Sequence, residues 1–229
     1  MRFTKLQIAV HLGVWLYLAW LAWAFLAGRL TANPIRELTL RTGLAALILL
    51  GLSLACTPLN MLLGFGGVMR VRRALGLYAF MYASLHLLVF LYDVGWISGE
   101  GFDVPLASQA LFGKRYALAG LAAFLVLVPL AITSTQGWVR RLGPRWQTLH
   151  RLVYVAALLS SLHFVWLVKA DLREPLIYGA VIGLLLVLRL PIVRQAVRFL
   201  GRGNPAWIAK LRGPRKDHKT PDATSSRSS

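Results

Sequence analysis

The chain has 229 residues, 57% of them hydrophobic and 15% charged, with a formal net charge of +18 and a mean hydropathy of +0.61. Soluble domains carry about 25% charged residues, and apolar stretches of about 20 residues mark membrane spans, so a soluble globular fold is excluded. The surplus Lys and Arg lie in loops and a tail between apolar runs, as membrane topology requires, so no nucleic-acid partner is needed to explain them.

Six apolar segments follow in order, at about 8–28, 42–62, 75–95, 116–135, 149–169 and 174–195. The first resembles a signal peptide, with Arg2 and Lys5 before an apolar run and an Ala22-Trp23-Ala24 triplet. Its apolar run is too long and the triplet lies inside it, so it reads as an uncleaved span. The period-two alternation of a barrel is absent, and each segment is therefore expected to be a helix. The fold class is an all-α membrane protein of six transmembrane helices. One domain is expected to cover 1–200, with 201–229 expected as a basic, disordered cytoplasmic tail able to lie on anionic lipid. No internal repeat is visible by eye.

Topology follows from the basic residues. The amino terminus, the Arg70–Arg73 loop, the Arg140–Arg151 region and the end from Arg189 onward hold 19 of the 26 Lys and Arg. Six of the eight acids fall on the other side. The positive-inside rule places both termini in the cytoplasm. Arg189, near the cytoplasmic end of the last segment, is expected to snorkel to the interface.

Chemistry is concentrated in the histidines. His11 is interfacial and His218 lies in the tail; neither calls for a ligand role. His86, His150 and His163 lie in or at the edge of apolar spans, where a neutral imidazole is a poor lipid neighbour and a good iron ligand. Counted from the cytoplasmic ends of their spans, His86 and His163 lie roughly 17 and 21 Å deep at 1.5 Å per residue. Two imidazoles at one level on neighbouring helices can grip a haem from both faces. No Asp or Glu sits near the span centres to support a proton relay. His150 lies on the same span as His163, thirteen residues nearer the cytoplasm. The matching position on the third span is Arg73, which cannot ligate iron. The inner level is thus left open to a haem with a different second ligand, a quinone or a flavin.

Gly64-Phe65-Gly66-Gly67 followed by Arg70, Arg72 and Arg73 offers bendable backbone and positive charge for a flavin phosphate or quinone, or forms a plain turn obeying the positive-inside rule. Cys56 is the only cysteine, which excludes an intrachain disulfide and a cysteine-ligated cluster. No GxGxxG opens a strand–helix unit, no segment is large enough for a dinucleotide domain, and no HExxH or nucleophile–base set occurs.

Four stretches carry a resemblance: Asn33-Pro34-Ile35, RRALGLYAFMYASLHLLVFLYDVG at 72–95, PLAITSTQGWVRRLGPRWQTLHRLVY at 129–154 and LHFVWLVK at 162–169. Together they resemble the MsrQ (YedZ) family, related to the transmembrane domain of ferric reductases and NADPH oxidases but lacking their flavin and nicotinamide domains. The resemblance implies haem b on His86, His150 and His163, with FMN as a further cofactor. It implies electrons taken from the quinone pool or a cytoplasmic flavin reductase. They are delivered across a bacterial inner membrane to a periplasmic molybdopterin subunit, MsrP, which itself reduces methionine sulfoxide. Two other readings of the residues remain: a proton-coupled transporter with a histidine relay, and a structural anchor for a periplasmic enzyme.

Overall fold

A computed structural model of the chain describes residues 4–96, 101–168 and 171–190, together with 193 and 195. Every regular element among them is helical, as lipid requires of a span that is not part of a closed barrel. In chain order these are α1 (Lys5–Leu26), α2 (Pro34–Leu63), α3 (Arg72–Gly95), the short α4 (Val104–Phe112) and α5 (Arg115–Ile132). Then come the seven-residue α6 (Gln136–Leu142) and α7 (Pro144–His150), α8 (Val153–Leu167) and α9 (Arg173–Val187). Among the described residues five stretches are long and apolar enough to cross a bilayer: α1, α2, α3, α5 and the combined run Pro144–Leu167. The sixth expected span is represented by the 15 residues of α9, short of the roughly 20 that a full crossing takes. The tail from Gly201, with His218, lies outside the described residues, as do Arg2 and Lys169.

α2 begins at Pro34, well before the expected 42. The Asn33 side chain accepts from the Arg36 N–H at 3.0 Å and Pro34 fills the first helical position, the start signal of a helix. Arg41 and Glu37 pair one turn apart on it at 2.6 Å, so its first turns are polar and invisible to an apolar count. The helix runs on through Pro58 and stops at Gly64, whose φ of 66° is the left-handed conformation that ends helices. Pro58 has no N–H, which strips the Leu54 carbonyl of its helical donor. Arg189 supplies the replacement. Its Nη2 donates to Leu54 O at 2.5 Å and Thr57 Oγ1 at 3.0 Å, and its Nη1 to the Tyr154 hydroxyl at 3.2 Å. Rather than snorkelling outward, Arg189 turns inward and ties the end of α9 to the proline break of α2.

The segment expected at 149–169 is likewise not one regular helix. At Arg151–Leu152 the bonding tightens to i→i−3, with Leu152 N on Leu149 O and Tyr154 N on Arg151 O, both 3.0 Å. α7 and α8 meet at this break, between His150 and His163.

α2 packs along α3 and α5 along α8, and contacts of α3 with α5 and of α2 with α8 close the four into a bundle. Small buried residues, Ala79, Ala119, Ala123, Ala156 and Ala157, let the backbones approach, as membrane helices require. α1 is held to α3 by the Tyr82 hydroxyl on Val14 O at 2.9 Å and by His11 Nδ1 with the Tyr78 hydroxyl at 2.5 Å. Large apolar side chains such as Leu12, Leu16, Leu88, Leu125 and Ile177 face outward, as they would against lipid. α2 and α5 run away from the end that carries α4, and α3 and α8 run back towards it.

Candidate functional site

The four-helix bundle encloses a cavity of about 1170 Å³, walled by α2, α3, α5 and α8 and lined mainly by apolar side chains. Ligand pockets commonly measure about 300–1,000 Å³, so a large group fits. His86 from α3 and His163 from α8 both line it. Their ring centroids are 5.9 Å apart and their planes 83° from parallel.

Each ring is held by the neighbouring helix in the same manner. The His86 Nδ1 bonds the Thr39 carbonyl at 2.8 Å, and the His163 Nδ1 bonds the Tyr116 carbonyl at 2.6 Å. A carbonyl only accepts, so in both rings Nδ1 carries the proton and Nε2 keeps its lone pair. This is the orienting bond that metal-ligating histidines make. The approach is so close because a glycine faces each ring. A Cβ on Gly43 would stand 2.8 Å from His86 Nδ1, and one on Gly120 would stand 2.6 Å from His163 Nδ1.

The two devices have one spacing. Each histidine lies 47 residues after its carbonyl partner. Gly43-Leu-Ala-Ala46 recurs 77 residues later as Gly120-Leu-Ala-Ala123, and Ser84-Leu-His86 recurs as Ser161-Leu-His163. The α2–α3 and α5–α8 pairs therefore seat their histidines by one shared geometry. The chain does contain an internal repeat, contrary to the sequence reading. It escapes the eye because only two short signatures carry it.

No group of three or more His, Cys, Asp or Glu among the described residues could hold a bare metal ion. Two imidazoles are half of a tetrahedral shell, but they complete the coordination of a metal that brings its own planar donors, as haem does. The ring centroids, 5.9 Å apart, leave room for a single metal atom between the two imidazoles. The residues fit such a group.

His150 is not brought into this cavity. It ends α7 at the opposite end of the bundle, stacked on Trp146 with centroids 4.0 Å apart, with its Nε2 3.1 Å from the Thr133 hydroxyl. Trp146 Nε1 donates to the Thr133 carbonyl at 2.9 Å, so one threonine at the end of α5 anchors both rings. The glycines at 64–67 form the cap of α2 and the start of a short 3-10 turn, Gly66–Arg70. Arg70 and Arg73 are exposed there and Arg72 is half-buried; none of the three lines the cavity. The residues that sequence reasoning missed are Gly43, Gly120, Thr39 and Tyr116, and the recurrent Gly-Leu-Ala-Ala was the signal for them.

Residues 42–161 match the model of the family described as "Ferric reductase like transmembrane component". The protein-methionine-sulfoxide reductase heme-binding subunit MsrQ of Xanthomonas campestris pv. campestris (strain 8004) is 46% identical over 186 residues, 79% of this chain and 83% of its own length. The protein of the same name from Rhodospirillum rubrum is 47% identical over 191 residues, 82% of this chain and 89% of its length. No solved structure matches the chain.

Proposed function

This chain belongs to the ferric-reductase-like transmembrane family and, within it, to the MsrQ heme-binding subunits, and on that premise we propose that it binds haem b between His86 and His163 and conducts electrons across a membrane. The observation that carries the proposal is the pair of facing imidazoles, each tautomer-locked by a carbonyl and pressed against a glycine beside a cavity of about 1170 Å³. When bound, haem supplies a one-electron iron couple. His86 and His163 would hold the iron through their Nε2 atoms, and Thr39 and Tyr116 would make those nitrogens more basic through the Nδ1–H bonds. The apolar walls keep water away and set the dielectric that tunes the potential.

In this proposal the chain crosses the bacterial inner membrane six times with both termini in the cytoplasm. Residues 1–200 form the conducting domain and the basic tail rests on anionic lipid. The α4 end then faces the periplasm and passes electrons to an MsrP-type molybdopterin subunit, which holds the catalytic site for methionine sulfoxide. Electrons enter at the opposite end from the quinone pool or a cytoplasmic flavin reductase. His150 and the turn carrying Arg70, Arg72 and Arg73 are the residues proposed to meet a quinone, an FMN phosphate or an inner haem there.

The test is a reduced-minus-oxidised visible spectrum of protein purified in detergent after expression with haem supplied, beside His86→Ala and His163→Ala. A b-type spectrum in the wild type, abolished or severely weakened by either substitution, supports the proposal. A colourless wild type would refute it and turn attention to proton flux. Unimpaired partner reduction by His86→Ala would instead favour a plain membrane anchor.

A further inference from the structure

The cavity does not end at the histidines. It continues to the α4 end of the bundle, where its lining changes from apolar to charged: Arg36, Lys114, Arg115 and Asp93. Arg36 precedes Gly43 by two turns of α2, and Asp93 follows His86 by two turns of α3. Arg115 and Lys114 precede Gly120 by five and six residues. At 1.5 Å per residue all four lie roughly 8–10 Å beyond the level of the imidazoles.

Three cations and one carboxylate leave this end of the cavity with two positive charges in excess. Among the described residues the only ion pair is Arg41 with Glu37, so no described acid is paired with Arg36, Lys114 or Arg115. The backbone adds to the excess. α5 starts at Arg115 with no side-chain cap on its first N–H groups, and uncapped N–H groups at a helix start attract anions. Lys114 lies 6.0 Å from the Tyr116 ring centre, and the carbonyl of the same Tyr116 holds His163. The charged end and the imidazole are thus tied to one turn of helix.

We propose that Arg36, Lys114 and Arg115 bind the two propionate carboxylates of the haem and so fix which edge of it points to the α4 end. This rests on the haem reading above and goes beyond it: axial histidines leave the haem free to rotate about the axis joining them, and the cations remove that freedom. Two carboxylates match the excess of two charges, and guanidinium groups bond carboxylates by paired N–H donors.

The experiment is a chemical cycle on the full chain in detergent. Haem and haem dimethyl ester, whose carboxylates are blocked, are titrated into wild type, Arg36→Met, Arg115→Met and the double variant. All sites altered are exposed, so the fold should tolerate them. Each guanidinium removed is expected to weaken haem binding roughly tenfold or more, with the ester bound equally by all four proteins. Arg115→Lys should recover part of the loss, and the haem potential should fall in the double variant as positive charge is removed. Equal weakening of haem and ester would overturn the proposal, because the loss would not involve the carboxylates. Haem binding unchanged in the double variant would overturn it while leaving the histidine site intact. A wild type that binds neither compound would overturn both readings.

Discussion

Gly120→Ala isolates the device that holds the site. The added Cβ would stand 2.6 Å from His163 Nδ1 and 2.9 Å from its Cε1, whereas carbon contacts settle at about 3.5–4.0 Å. The imidazole must retreat by roughly an ångström. Its bond to the Tyr116 carbonyl, now 2.6 Å, would then stretch beyond about 3.5 Å and cease to be a hydrogen bond. Losing the bond that orients a metal-ligating histidine typically costs about 10–100-fold in affinity, and that is the loss of haem affinity expected here. The fold should suffer less. Overpacking costs about 1–3 kcal/mol, but alanine is favoured over glycine inside a helix by about 0.8–1.0 kcal/mol.

The assay is haem content per protein by pyridine haemochrome, with a haem titration of the apoprotein and thermal unfolding by circular dichroism. Gly51→Ala is the control, since nothing lies within 4 Å of a Cβ placed there. Because the two halves repeat, Gly43→Ala should act on His86 in the same way, more mildly at its 2.8 Å approach. A Gly120→Ala protein with wild-type haem affinity and spectrum would refute the reasoning, for it would show that His163 does not need the backbone of α5.

Two other outcomes follow from the residues outside the cavity. His150→Ala should leave the dithionite-reduced spectrum of the His86–His163 site unchanged while slowing reduction by a quinol or reduced flavin, because its ring is engaged with Trp146 and Thr133 at the opposite end. Arg189→Met should leave the Leu54 carbonyl without a donor, a loss of about 1–3 kcal/mol, seen as a lower unfolding temperature in detergent with the haem spectrum retained.

The helices were legible because an apolar run of spanning length has one solution in lipid. Counting inward from the ends of those runs puts His86 and His163 near one depth, and the two rings do lie 5.9 Å apart. The count succeeds because α3 and α8 run in the same sense. It fails where polar chemistry sets the structure. The start of α2 is decided by Asn33 and Pro34, not by hydropathy. The break at Arg151–Leu152 carries no Gly or Pro to announce it. The inward turn of Arg189 answers a carbonyl orphaned by Pro58 on a helix more than 130 residues away, a demand that only the packed chain creates. The repeat was present in the letters, but only contact between Gly43 and His86, and between Gly120 and His163, shows which letters to align.

That alignment also says where the two halves part. The same offset of 77 that takes His86 to His163 takes Arg73 to His150. At the cavity level both copies present a glycine-seated imidazole, and a symmetrical two-nitrogen site results. At the other end one copy presents an imidazole and the other a guanidinium, which cannot ligate a metal but does bind anions. Paired imidazoles therefore stand at only one of the two levels. An imidazole within electrostatic reach of the Arg72 guanidinium suits a diffusible donor with a carbonyl or phosphate group better than a second haem held by two imidazoles, which is why reduction by such a donor is the property to measure in His150→Ala.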